Sequence, residues 1–318
     1  MPEHDHGALV RGECGDGRRE AIGVEDADES LLSLPTRGAL IVNATSGPWI
    51  VRGDGTRRLL GPYDQASWSP RGLFVVVSRG HELTALTPLG KERWTHPAHG
   101  LVNAARWAPS GFRIAYQVGS TLRVIAGDST GDRLLARNVL QIAPAWRPGP
   151  AHVLAYAKRD RRLVVADVDT RRRLWTARLP AQPHQVLWAP DGSRLLVLAE
   201  KTYVIYASDG RVVARRTFRT GAPQLAVFAP RGHRFALVVG LPGRSELRVG
   251  SRIVFRGAGA FNDAEWSPDG RWLLVSWGTA NQWVFIRSAG VRRIAAVSNV
   301  ARQFRSENVP ALGGWCCP

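Results

Sequence analysis

Gly127-Asp128-Ser129-Thr130-Gly131 has the Gly-x-Ser-x-Gly spacing of a nucleophile elbow. That pattern activates its serine only on a sharp turn from strand into helix, beside an oxyanion hole. No helical periodicity follows Gly131, so the segment reads as an ordinary β-turn. His96 and His99 sit in a loop beside Pro97 and could pair on a metal, but no carboxylate cluster accompanies them. Asp167 and Asp169 are too sparse for calcium, which takes at least six oxygens. His4-Asp5-His6 lacks further ligands, and no glycine-rich phosphate loop is present. The three cysteines, Cys14, Cys316 and Cys317, are too few for a disulfide framework. Neighbours on a strand point to opposite faces, so Cys316 and Cys317 are most simply two buried thiols, with a vicinal disulfide or a redox or metal role as alternatives. Every constellation thus fails on context: no catalytic residue, metal or cofactor is expected.

The residues with the strongest spacing do no chemistry. Trp188-Ala189-Pro190-Asp191-Gly192 returns as Trp68-Ser69-Pro70-Arg71-Gly72, Trp107-Ala108-Pro109-Ser110-Gly111, Phe228-Ala229-Pro230-Arg231-Gly232 and Trp266-Ser267-Pro268-Asp269-Gly270. Trp146-Arg147-Pro148-Gly149 is a sixth copy with its Gly one place early. From Trp68 the intervals are 39, 39, 42, 40 and 38 residues, the period of a β-propeller blade rather than of a helical solenoid. Pro presets φ for the first central position of a tight turn and Gly accepts its strained exit. A short run rich in Val, Leu and aromatics follows each turn, then two more such runs, which makes four strands per period.

Before Trp68 stand three strand-like runs, 39–43, 49–52 and 56–60, with no first strand. At the other end Trp315, three residues before Pro318, imitates the end of a first strand. The economical inference is an all-β propeller of seven blades, in which the C-terminal strand completes the N-terminal blade; six blades is the alternative. Trp68, Trp107, Trp146, Trp188, Phe228, Trp266 and Trp315 then repeat one buried position. The Trp-Ser-Pro-Asp-Gly turns resemble those of TolB-like and WD-repeat propellers. That resemblance covers about residues 38–318 and implies a fold more than a function. No Gly-His pair opens the repeats and no Trp-Asp closes them, as a standard WD repeat would require. An export signal and the additional N-terminal α/β domain of TolB are not seen either.

Residues 1–36 form an acidic head expected to be disordered, and 37–318 the propeller domain. The chain of 318 residues carries a net charge of +17, and only Lys91, Lys158 and Lys201 are lysines. No apolar run reaches the roughly 18 residues that span a bilayer. The N-terminus as written implies a cytoplasmic protein, whereas TolB-like resemblance implies an extracytoplasmic one.

Two surface features remain. Polar residues recur about four places before the signature aromatic, at Asp64, Asn103, His184, Gln224 and Asn262, joined by Asp263. They open the innermost strands and so crowd one mouth of the central channel, where partners dock. Basic residues recur around the outermost strands, at Arg57, Arg58, Arg171, Arg172, Arg173, Arg215, Arg216, Arg292 and Arg293. Charge there blocks edge-to-edge pairing and also attracts anionic polymers. A distributed field of this kind binds weakly, without sequence preference, and collapses with salt. The expectation is therefore a monomeric, non-catalytic scaffold with a protein partner at the channel mouth, and secondary, salt-sensitive binding of anionic polymers along the rim.

Overall fold

The computed structural model describes residues 33–288 and 294–317, and its strands form seven four-stranded antiparallel sheets. We number these blades 1 to 7 in chain order. Blades 2 to 7 occupy residues 65–97, 102–137, 145–178, 183–217, 222–258 and 261–298. Their innermost strands are Gln65–Trp68, Val102–Trp107, Ala145–Trp146, Pro183–Trp188, Ala222–Phe228 and Phe261–Trp266. Each innermost strand touches the next, and the last touches Ala311–Cys316, which in turn touches Gln65–Trp68, so the ring is closed.

Ala311–Cys316 is the innermost strand of blade 1. It pairs with Ala39–Ala44, with Leu40 opposite Trp315, and Gly47–Arg52 and Arg57–Leu59 complete the sheet. The seven-blade reading therefore holds and the six-blade alternative falls. Closure ties both ends of the described chain into one core: Leu34, Trp49, Trp283, Phe304 and Trp315 are all buried in it. Phe304, carried on the short helix Val300–Gln303 and its C-cap, lies 5.2 Å from the Trp283 ring and 6.0 Å from Trp49. Sharing a blade between the two ends also removes an exposed sheet edge beside the innermost strand.

The signature turn does what its residues dictate. The amide of Gly192 donates to Ala189 O, closing a β-turn around Pro190-Asp191, and Gly72, Gly111 and Gly270 repeat the bond. All five signature glycines lie at φ between 66° and 81°, the left-handed region that penalises a Cβ. Where the turn keeps Asp, the carboxylate holds the turn itself: Asp191 accepts from Ser193 and Asp269 from the Arg271 amide. The aromatics join neighbouring blades. The indoles of Trp68, Trp146 and Trp266 donate to Gly314 O, Arg106 O and Val227 O, each being the residue just before the signature aromatic of the preceding blade. Five of the seven rings are buried, and Trp68 and Phe228 are half-buried.

Two expectations need correction. Cys316 and Cys317 are joined in a disulfide rather than standing as two thiols. His96 lies within the outermost strand of blade 2, Glu92–Pro97, rather than in a loop; it faces Asp132 of the next blade at 3.6 Å. The pattern is silent on that contact because Asp132 belongs to a different repeat. Cys14 and His4-Asp5-His6 fall outside the described residues, as does most of the acidic head. Among the described residues no helix is long and apolar enough to cross a membrane.

Candidate functional site

The mouth residues owe their exposure to a recurring backbone irregularity. In blades 5, 6 and 7 the pairing of the innermost strand shifts register between Pro183 and Gln185, Pro223 and Leu225, and Phe261 and Asp263. A bulge leaves one residue without a ladder partner and re-aims its side chain. The residues so released are His184, Gln224 and Asn262, and all three are exposed. A glycine on the facing strand, or in the turn just after it, makes room for two of them. A Cβ on Gly240 would stand 2.2 Å from the Gln224 amide nitrogen, and one on Gly278 would stand 2.3 Å from the Asn262 amide oxygen. Although part of the side chain stays exposed, partial enclosure of its ring pushes the His184 imidazole below its usual value, only partly offset by backbone hydrogen bonds with Pro223 and Gln224. It is therefore neutral at pH 7, with one ring nitrogen a donor and the other an acceptor.

Elsewhere at the mouth the polar groups are partly spent. Asp64 is exposed but accepts from the Gly80 amide at 2.9 Å, and Asn103 is half-buried. Asp263 lies deeper, accepting from the amides of Leu312 at 2.8 Å and Ala264 at 2.9 Å. It marks the passage from mouth to channel.

Strand alternation turns the residue just before the signature aromatic toward the lumen, and two of the seven such residues are charged: Arg106 in blade 3 and Glu265 in blade 7. The residues one step earlier, Ala66, Ala105, Val186, Ala226 and Ala264, are buried within the sheets. Blades 3 and 7 stand on nearly opposite sides of a seven-membered ring. Arg106 is exposed to the lumen and Asp263 and Glu265 are half-buried, with the ring of blades surrounding all three. Enclosure pushes Glu265 up to about 8, reinforced by the neighbouring Asp263 and opposed by Arg106. It pushes Asp263 up to about 6 against its two amide donors and Arg106. The same enclosure lowers Arg106. Glu265 has no hydrogen-bond partner among the described residues, and the Arg106 guanidinium meets only the carbonyl of Ala105, at 2.9 Å. At neutral pH these three groups are thus one cation, one carboxylate and one carboxylic acid, and among the described residues none of them is in an ion pair.

The opposite face, formed by the signature turns, holds a constellation that crosses two blades. Ser110 Oγ lies 2.8 Å from His152 Nε2, and His152 Nδ1 is hydrogen-bonded to Asp169. Nucleophile, base and orienting carboxylate stand in the order of a hydrolytic triad. The surroundings differ from a hydrolase. The Phe112 amide donates to Ser110 Oγ itself, and the Gly111 amide is spent on Ala108 O, so these two donors are not free to form an oxyanion hole. Arg113 at 3.0 Å and Arg133 at 3.4 Å draw on the same Asp169 carboxylate. The cluster fastens blade 3 to blade 4. Nearby, the Gly127–Gly131 segment is the turn between the third and fourth strands of blade 3, with Asp128 capping Thr130. Among the described residues no three or more His, Cys, Asp or Glu are grouped so as to hold a metal ion.

The basic rim lies on the outermost strands and their approach turns. Arg57, Arg58, Arg171, Arg172, Arg173, Arg215 and Arg216 are exposed, and none is ion-paired among the described residues. Arg57 reaches the Gln303 carbonyl and Arg216 lies over the Phe218 ring at 5.1 Å. Arg292 and Arg293 are outside the described residues.

Comparison with known proteins shows the fold and stops there. No protein-family model matches the sequence, and no curated protein matches it. The fold resembles many solved structures, among them a chain of hydrazine synthase from Kuenenia stuttgartiensis. That match has a TM-score of 0.60 and 13% identity over 71% of this chain and 76% of that one. Similarity at this level is similarity of the propeller alone.

Proposed function

We propose that this protein is a non-catalytic interaction propeller, of the TolB-like or WD-repeat-like kind, that engages a protein partner at the mouth carrying His184, Gln224 and Asn262. The observation that carries this reading is the repeated bulge. In three successive blades it takes a polar, uncharged side chain out of the sheet and presents it at one rim of the channel, and in two of them a glycine opposite makes the space. Neutral groups that both donate and accept hydrogen bonds suit a protein surface, because they are desolvated at lower cost than charges. The protein acts as a monomer, and the Arg rim adds a weak attraction to anionic polymers rather than a specific site.

The test is affinity capture from the source organism with wild type and with His184→Ala/Gln224→Ala/Asn262→Ala. Loss of the captured partner only in this variant, and retention in Arg171→Ala/Arg172→Ala/Arg173→Ala, supports the mouth. The reverse pattern would make the rim the functional surface, as would tight, sequence-dependent duplex binding that persists at physiological salt.

Ser110, His152 and Asp169 favour a second reading, a serine hydrolase with its site on the opposite face. Treatment with a fluorophosphonate probe separates the two. The scaffold reading expects no labelling, and labelling abolished by Ser110→Ala would replace it.

A further inference from the structure

The junction between blades 6 and 7 is built differently from two of its counterparts. Blades 2 and 4 each carry a tryptophan on the outermost strand just after a bulged residue. Trp94 lies opposite Ala85 and Trp175 opposite Val165. Their indoles span the gap to the following blade and donate to Gly127 O and Ser208 O, both at 2.9 Å. Blade 6 places Phe255 at the same register, opposite Leu247. Phe255 turns instead toward Phe261, at 5.5 Å between ring centroids, and Trp277, at 5.7 Å. The gap that an indole fills elsewhere stays open as a cavity of about 250 Å³.

Its floor is apolar, made by Leu273, Ile286 and the buried face of Trp266. Around it stand Arg234, Arg252 and Arg287, all exposed. Arg234 is held over Trp266 at 5.4 Å. Among the described residues none of the three guanidiniums meets a carboxylate. Three like charges around one small cavity repel one another, and an anion seated among them removes that repulsion while accepting charge-assisted hydrogen bonds. An apolar floor with a few converging polar groups is the usual make-up of a small-molecule site.

From this open junction we infer a binding site for a small amphiphilic anion, a carboxylate or phosphate carried on a compact apolar body that fills the space an indole occupies in blades 2 and 4. The site lies apart from the channel mouth and holds whether or not a protein binds there.

Isothermal titration with 1-naphthyl phosphate tests it, with inorganic phosphate and 1-naphthol as the two halves of the ligand. Saturable one-to-one binding is expected, at least about tenfold tighter than either half, since the anion and the apolar body each contribute. Arg252→Ala/Arg287→Ala should weaken it by about tenfold or more. Arg171→Ala/Arg172→Ala, which removes the same charge from a distant rim, should leave it unchanged. Val254 is the bulged residue beside Phe255 and lines the cavity, so Val254→Trp, which puts an indole into that space, should abolish binding. Circular dichroism melts of each variant establish that it is folded. Naphthyl phosphate that binds no better than inorganic phosphate, or that loses equal affinity in both double-arginine variants, would reduce the effect to the net charge of the protein and overturn the proposal. So would no binding at all.

Discussion

Replacing Glu265 by Gln should make the protein more resistant to alkaline conditions, by an amount set by the channel. The carboxyl is held up to about 8, against 4.5 for an ordinary glutamate. Below the ordinary value both folded and unfolded chains keep the proton and the group contributes nothing to the pH dependence. Between the two values the unfolded chain has released a proton that the folded chain retains. Stability therefore falls as pH rises, by about 1.4 kcal/mol per pH unit, and levels off above the folded value. For a fully enclosed group the whole window is worth about 5 kcal/mol. Glu265 keeps part of its surface open to the lumen, where solvent screens it, so about 2–3 kcal/mol is expected. The amide of Gln occupies the same volume and does not titrate. Urea unfolding of both proteins from about pH 5 to about pH 8.5 should show nearly equal stability at the acid end and a lead for the variant that grows with pH. Parallel profiles, or a lead that shrinks with pH, would refute the enclosed-carboxyl reasoning.

Other outcomes follow from the same structure. Trp188→Ala empties a buried site between two blades and should cost about 3–5 kcal/mol in urea unfolding. Asp132→Ala should cost about 2–4 kcal/mol, because it strands the Tyr116 hydroxyl, 2.7 Å away, and the Arg123 guanidinium, which is bound at 3.0 Å. Although burial works against it, those hydrogen bonds hold Asp132 below the usual carboxylate range. Its stabilisation is therefore present at neutral pH and lost as acid protonates it, and the variant's deficit should narrow at low pH. Intact mass of the purified protein should rise by two hydrogens on reduction, as the Cys316–Cys317 disulfide requires; an unchanged mass would return the pair to free thiols.

The sequence is most informative where backbone constraint forces residue choice. Pro and Gly at the signature turn are dictated by φ, and the aromatic before them must fill a gap between sheets, so blade number and period could be read directly. Shared closure was legible because the N-terminal blade lacks a first strand and Trp315 supplies one. Exposure of His184, Gln224 and Asn262 was legible as polarity at a fixed offset. Its cause was not, because a bulge is a matter of register that no particular residue type announces. Arg106 and Glu265 occupy the same repeat position and could have been found by comparing the residue just before each aromatic. Their mutual influence depends on which blades face one another across the ring. The Ser110–His152–Asp169 contact escaped because it joins two repeats at turns whose sequences differ. Phe255 in the place of Trp94 and Trp175 is visible in a register alignment, but the cavity it leaves depends on where its ring turns.

Site-specific photo-crosslinking tests the central claim most directly. A benzophenone side chain placed at Gln224, at Ser110 and at Arg172 samples the channel mouth, the opposite face and the rim of otherwise identical proteins in lysate of the source organism. The expected result is one discrete adduct at Gln224, competed by excess unlabelled wild type and lost when His184 and Asn262 are replaced by Ala. Adducts confined to Ser110 or Arg172, or equal at all three positions, would contradict the channel mouth as the binding surface.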